Sequence, residues 1–200
     1  FKCDEYDILP NEKGKVKPKY RSKNASRLAP VRNTLIDAGG YYYGKKEYDK
    51  SFDAFSVFVN SADAPLFDGK IVKDSTYYLI ANYAALAAYL NKDYTNAAKY
   101  ATIAIDDAKV KAEAMNILIS SQKESCKTKE DSVAYFNKLK EIRAKDPNEL
   151  TILFAINEYL SAPERVAEKE AWCAQEVKTV PGDKYVWAFL GESQMNQQKY

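Results

Sequence analysis

Two hundred residues, 46% hydrophobic and 29% charged, fit one globular domain or two small ones and not a disordered chain. The absence of histidine excludes Ser-His-Asp and Cys-His catalysis, His-ligated zinc and proximal-histidine haem, and three cysteines are too few for a four-thiolate metal site. Thirty basic and 28 acidic residues nearly cancel to +2, so nothing resembles a strongly basic, nucleic-acid-binding domain.

Residues 1–30 read as an irregular, basic N-terminal segment. Pro10, Gly14, Pro18 and Pro30 interrupt helices, and polar residues fill the gaps. Lys13, Lys15, Lys17, Lys19, Arg21 and Lys23 fall on alternate positions. In an extended chain all six project from one edge, as a solvated connector or a strip for an acidic partner.

From Val31 the texture changes, and residues 31–200 read as one helical repeat domain. Ala, Leu, Ile and Tyr recur at three- and four-residue spacing, the helical period. Within 74–90, Ile80, Tyr83, Ala84, Ala87 and Ala88 form one stripe. Ala97, Ala98, Ala101, Ala104 and Ile105 form the next; Val133, Phe136, Leu139, Lys140 and Ile142 form a third, with Lys140 its polar exception. No alternating strand competes. Short polar joints at 44–46, 91–93 and 161–163 imply antiparallel helical neighbours. Alanine stripes imply close backbone approach.

The chain repeats itself. The stretches around Tyr48 and Tyr94, 46 positions apart, superpose without gaps. Glu47-Tyr48 matches Asp93-Tyr94, Ala38-Gly39 matches Ala84-Ala85, and Ser51, Phe55 and Phe58 match Ala97, Ala101 and Ala104. A polar insertion at 61–73 lengthens the period. Near the end, Trp187, Leu190 and Gly191 spell W-x2-L-G, followed by Lys199-Tyr200 where a second helix should begin and with Gln194 in place of the motif's tyrosine. A third hairpin is expected over 112–148, ended by Asp146-Pro147, and a fourth over 149–180.

This pattern resembles the tetratricopeptide repeat, a helix–turn–helix unit of 34 residues. The order of KGKVKPKYR followed by LIDAGGYYYGKKEYDKSFDAF resembles exported bacterial proteins of that kind. The resemblance implies an all-α, right-handed solenoid of antiparallel helical hairpins, export to the periplasm or cell envelope, and binding rather than catalysis. It also implies that first helices line a concave groove. Asn33, Ile36, Gly40 and Tyr43 then face the groove in the first hairpin, Asn82, Leu86 and Tyr89 in the second, and Tyr185, Ala188, Glu192 and Met195 in the last.

Two chemical motifs fail on inspection. GGYYYGKK over 39–46 fits G-x4-G-K, but Lys46 stands where Ser or Thr should hold magnesium, and the preceding residues read as helix rather than strand. Asp4-Glu5, Asp106-Asp107 and Glu130-Asp131 are adjacent carboxylates, which point apart on a helix instead of converging on a glycosidic bond. No catalytic, cofactor or metal residue is therefore assigned, and the chain is not expected to be an enzyme. Cys3, Cys126 and Cys173 read as thiols without chemistry, with at most one disulfide among them.

No apolar run reaches the ~20 residues of a membrane span. No signal peptide is visible, but the chain begins at Phe1 and ends inside a helical hairpin, so both ends read as cut. Trp187, Phe189 and Leu190 are then expected to lie partly uncovered. The expected role is a scaffold holding a protein or peptide in the groove. The alternatives are a glycan-binding protein of the cell envelope and a purely structural assembly module.

Overall fold

The computed structural model describes residues 2–198. Among them are ten α-helices, two short 3-10 turns and no strand. Among the described residues no helix is long and apolar enough to cross a membrane. The chain divides into two compact units, Phe1–Gln122 and Lys123–Tyr200.

The first unit contains α1 (Lys2–Asp7), α2 (Arg21–Gly44), α3 (Tyr48–Ser61), α4 (Ser75–Leu90), α5 (Tyr94–Ala104) and most of α6 (Lys111–Ser125). Helix α2 packs on α3, α3 on α4, and α4 on α5. The second unit contains α7 (Lys129–Lys145), α8 (Leu150–Leu160), α9 (Val166–Thr179) and α10 (Lys184–Asn196). The sequence pairs α7 with α6; within its own unit α7 packs on α8, and α9 packs on α10.

Residues 1–30 are not uniformly irregular, which corrects the sequence expectation. Helix α2 starts at Arg21 and runs through Pro30. An interior proline removes one helical hydrogen bond and costs about 3 kcal/mol. Both sides of Pro30 are clamped. The Asp7 carboxylate accepts the backbone N–H groups of Lys19, Tyr20 and Arg21 at 2.8–2.9 Å, capping α2 from a distance in sequence. Burial works to raise the Asp7 pKa, but these three donors hold it below the usual value. Arg21 pairs with the Asp4 carboxylate at 3.2 Å and also donates to the Pro65 carbonyl. On the other side, buried Arg32 donates to Ser61 Oγ and the Phe58 carbonyl, both at 2.8 Å, and lies over the Phe58 ring. The alternating basic edge is lost too, because Arg21 and Lys23 are helical.

The alanine stripes become the core of the first unit. Ala81, Ala84, Ala85, Ala87 and Ala88 on α4, and Ala97, Ala101 and Ala104 on α5, are fully buried. A methyl lets two backbones approach where a leucine would hold them apart. Gly39 does the same within α2. A Cβ built there would lie 2.3 Å from the Phe55 ring, and Ser51 Oγ donates to the Gly39 carbonyl at 2.9 Å. The pairs that align across the repeat are thus Gly39 with Phe55 and Ala85 with Ala101, small against large and then small against small.

The turns repeat as well. Lys46, Lys92 and Gln198 all adopt left-handed backbone, with φ of 61°, 61° and 56°. Glu47 N–H donates to the Tyr42 carbonyl and Lys46 N–H to Tyr43; Asp93 N–H donates to Ala88 and Lys92 N–H to Tyr89; Gln198 N–H donates to Met195. The first two are complete Schellman closures of α2 and α4. Glycine ordinarily occupies that left-handed position.

In the second unit, Leu153, Cys173, Val186 and Leu190 form a core covered by Trp172, Val177, Tyr185 and Phe189. Arg143, nearly fully buried, donates to Glu176 Oε2 at 3.2 Å and Asp183 Oδ2 at 2.9 Å, tying α7 to α9 and to the N-cap of α10. Lys140, the polar exception on its stripe, places its ammonium 4.5 Å from the Phe136 ring centroid. Helix α7 ends at Lys145, just before Asp146-Pro147, and α8 and α9 fall within the fourth expected segment.

Two stability outcomes follow. Gly39→Ala should destabilise the protein by about 1–3 kcal/mol despite the better helix propensity of alanine, and Phe55→Leu in the same chain should recover part of the loss. Equal urea midpoints for Gly39→Ala and the parent would refute the close approach. Lys46→Gly and Lys92→Gly should each stabilise by up to about 1 kcal/mol, by relieving left-handed strain; a lowered midpoint for either would count against it.

Candidate functional site

The groove residues expected from the sequence separate into two groups, one in each unit. In the first unit the relevant helices are α2, α4 and α6. Tyr43 and Tyr89 occupy the same structural position: each supplies the carbonyl that closes its own turn, as Met195 does at the end of α10. Both rings are half-buried. Tyr43 packs edge-on against Tyr48 with centroids 5.6 Å apart, and Tyr89 packs against Tyr94 at the same distance. Each ring is therefore braced across its own turn, not against the other.

Burial raises the phenol pKa of Tyr43, and the charges of Tyr48, Glu113 on α6 and Tyr83 on α4 raise it further. The phenol stays protonated at neutral pH. Tyr83 was placed in the core stripe by its spacing. It is 39% exposed instead, with its ring 5.8 Å from Phe55. Its neighbours along α4 are half-buried Leu79 and Leu86 and exposed Leu90. On α2, Asn33 and Gly40 are exposed and Ile36 is half-buried.

Asn82 is the exception. It is fully enclosed, and neither amide atom has a hydrogen-bond partner among the described residues. A residue with no exposed surface does not line a groove. It lies on the part of α4 that alanines bring close to α3 and α5.

In the second unit α8 and α10 carry an aromatic cluster. Phe154 on α8 is 44% exposed and meets Tyr185 at 5.3 Å and Phe189 at 5.8 Å, both edge-to-face. Leu150, one turn before Phe154, is also exposed. Charges frame the rings. The Lys184 ammonium lies over Tyr185, and buried Lys169 lies over Phe189 while donating to exposed Glu192 at 2.6 Å. Tyr185 and Glu192, seven positions apart, share one face of α10; Ala188 and Met195 are exposed on the same helix.

Phe154 was missed by the sequence reading. The available signal is that LTILFAINEYL carries more apolar residues than one helical face can hold. Ile152, Leu153, Ile156 and Leu160 go inward, and Leu150 and Phe154 are left outside. Trp187 is exposed as expected, with its indole N–H donating to the Pro181 carbonyl at 2.9 Å, whereas Leu190 is buried. The expected helix start at Lys199-Tyr200 lies outside the described residues.

The motif over 39–46 is not a phosphate loop: residues 39–44 end α2, and 45–46 form its closing turn. Among the described residues no group of three or more Cys, Asp or Glu side chains is placed to hold a metal ion. What the described residues define is an all-helical protein with a half-exposed aromatic row in each compact unit. No known protein family matches the chain, and no curated protein does.

The enclosed amide offers a test. An unpartnered buried amide costs about 1–3 kcal/mol, and alanine removes it without adding bulk to a fully enclosed site. Asn82→Ala should stabilise the protein by up to that order, helped by the better helix propensity of alanine, measured by urea denaturation. A loss of stability would mean that the amide is satisfied in solution.

Proposed function

We propose that this protein is a non-catalytic binding scaffold of the tetratricopeptide type, which holds a peptide segment of a partner protein against its first-helix faces. The observation that carries this reading is the cluster of Phe154, Tyr185 and Phe189, three rings from two helices with Phe154 nearly half exposed. Aromatic side chains dominate interface energetics when a partner desolvates them, at low conformational-entropy cost. The framing charges of Lys184 and Glu192 suit a peptide that alternates apolar and charged side chains. In the first unit, Tyr43, Tyr83, Leu86 and Tyr89 supply a second row of similar chemistry. The repeated turns at Lys46 and Lys92 support the tetratricopeptide assignment. The right-handed stacking of antiparallel hairpins and location in the periplasm or cell envelope belong to the same proposal.

The glycan alternative draws on the same rings, because a sugar also stacks on an aromatic face. Edge-to-face packing argues for the peptide. Phe154, Tyr185 and Phe189 turn edges as well as faces to one another, so no broad flat platform is presented.

Selection of the chain against a displayed peptide library, beside a glycan array, separates the readings. The expected result is a set of related peptides with apolar anchors. Phe154→Ala and Tyr185→Ala should each weaken the selected peptide by at least about tenfold in chains that keep their helical circular-dichroism spectrum. Unaltered affinity in both variants, or binding confined to glycans, would refute the proposal.

A further inference from the structure

A second cavity of the second unit lies apart from the aromatic cluster. It is a cleft of about 360 Å³ at the end of α8, lined among others by Lys123, Ser132, Tyr135, Glu158, Tyr159 and Arg165. That volume is in the range of small-molecule sites. The first-helix row does not use it.

Arg165 is held in a fixed orientation at its edge. Its guanidinium carbon lies 3.9 Å from the Tyr159 ring centroid, and Nη1 donates to the Tyr159 carbonyl at 3.1 Å. The opposite face of Tyr159 is stacked on Phe136, with centroids 4.3 Å apart and an interplanar angle of 6°. The Lys140 ammonium covers the far face of Phe136. Two cations thus bracket two parallel rings, and the guanidinium plane is fixed by the ring beneath it. Among the described residues no carboxylate pairs with Arg165. A planar, immobilised guanidinium presents paired N–H donors that match a carboxylate, and little side-chain entropy remains to be lost when one binds.

The remaining lining defines the ligand's charge. Lys123 is within 2.6 Å of Glu158, so the three charged lining residues sum to a single positive charge. A monoanion neutralises that charge, whereas a phosphate dianion would meet the Glu158 carboxylate. Tyr135 contributes a phenol whose pKa is pushed up to about 12, by burial first and then by Glu158 and Cys126; it remains a donor at any physiological pH. Ala155, Ala162 and the Tyr159 ring supply apolar wall.

We propose that this cleft binds a small organic monocarboxylate, with Arg165 receiving the carboxylate and the apolar wall receiving the rest of the molecule.

Calorimetric titration of the full chain with benzoate, benzamide and inorganic phosphate tests this. Benzamide has the shape of benzoate without its charge, and phosphate is an anion of higher charge without the apolar body. Benzoate should bind at least about tenfold more tightly than either. Arg165→Gln should remove the preference for benzoate over benzamide, and Arg165→Lys should restore part of it, because lysine keeps the charge but not the fork. Equal affinities for benzoate and benzamide, tighter binding of phosphate, no benzoate binding, or an unchanged preference in Arg165→Gln would each overturn the proposal. If Arg165→Gln does not fold, the comparison of the three probes on the unaltered chain decides alone.

Discussion

A left-handed residue two positions before the second helix controls much of the first unit. With Lys46 and Lys92 in that conformation, the following N–H groups turn back onto the last carbonyls of α2 and α4. The chain then leaves each helix along the same path, and α3 and α5 start from equivalent places. The carbonyls of Tyr43 and Tyr89 accept the closing N–H groups, and their rings brace on the first residue of the next helix, Tyr48 and Tyr94. Turn geometry and the placement of the candidate binding rings are therefore one constraint. An alternative turn would displace both at once.

Small residues set the second constraint. Once the turns fix direction, the distance between helices is decided by what lies between them. In α4 and α5 that is mostly methyl groups, so the faces that α4 turns to its neighbours are closed to solvent. The same closeness that gives the unit a dense core traps Asn82 without partners. Polar burial here is a by-product of tight packing, and its cost is carried by the apolar contacts around it.

Much of this was legible in the sequence because it depends on local chemistry. The joints at 44–46 and 91–93, the stop at Asp146-Pro147 and the alanine faces all follow from residue types over a few positions. The misreadings share a different cause, which is long-range compensation. Pro30 breaks a helix by local rules, and α2 survives it because Asp7 and Asp4 hold its start and Arg32 anchors the turn beyond. Tyr83 has the spacing of a core residue but lies at the edge of what its neighbours cover. Lys140 violates its stripe because an aromatic face, invisible to a periodicity count, accommodates the ammonium. Of the candidate sites, the first-helix rows were readable by alignment. Phe154 and the Arg165 cleft were not, since each depends on side chains from helices that only the tertiary structure brings together.

The Gly39–Phe55 contact bears on how such a chain can change over generations. The aligned positions in the second helix pair are Ala85 and Ala101, both buried, so both residue combinations already occur within one molecule. Moving from one to the other requires two substitutions. If the glycine changes first, the ring is overpacked; if the phenylalanine shrinks first, a void is left. Either order passes through a less stable intermediate, so the two positions are bound to one another by inheritance as well as by contact. Two repeats that began alike would drift apart slowly at such pairs and quickly at the exposed positions around them.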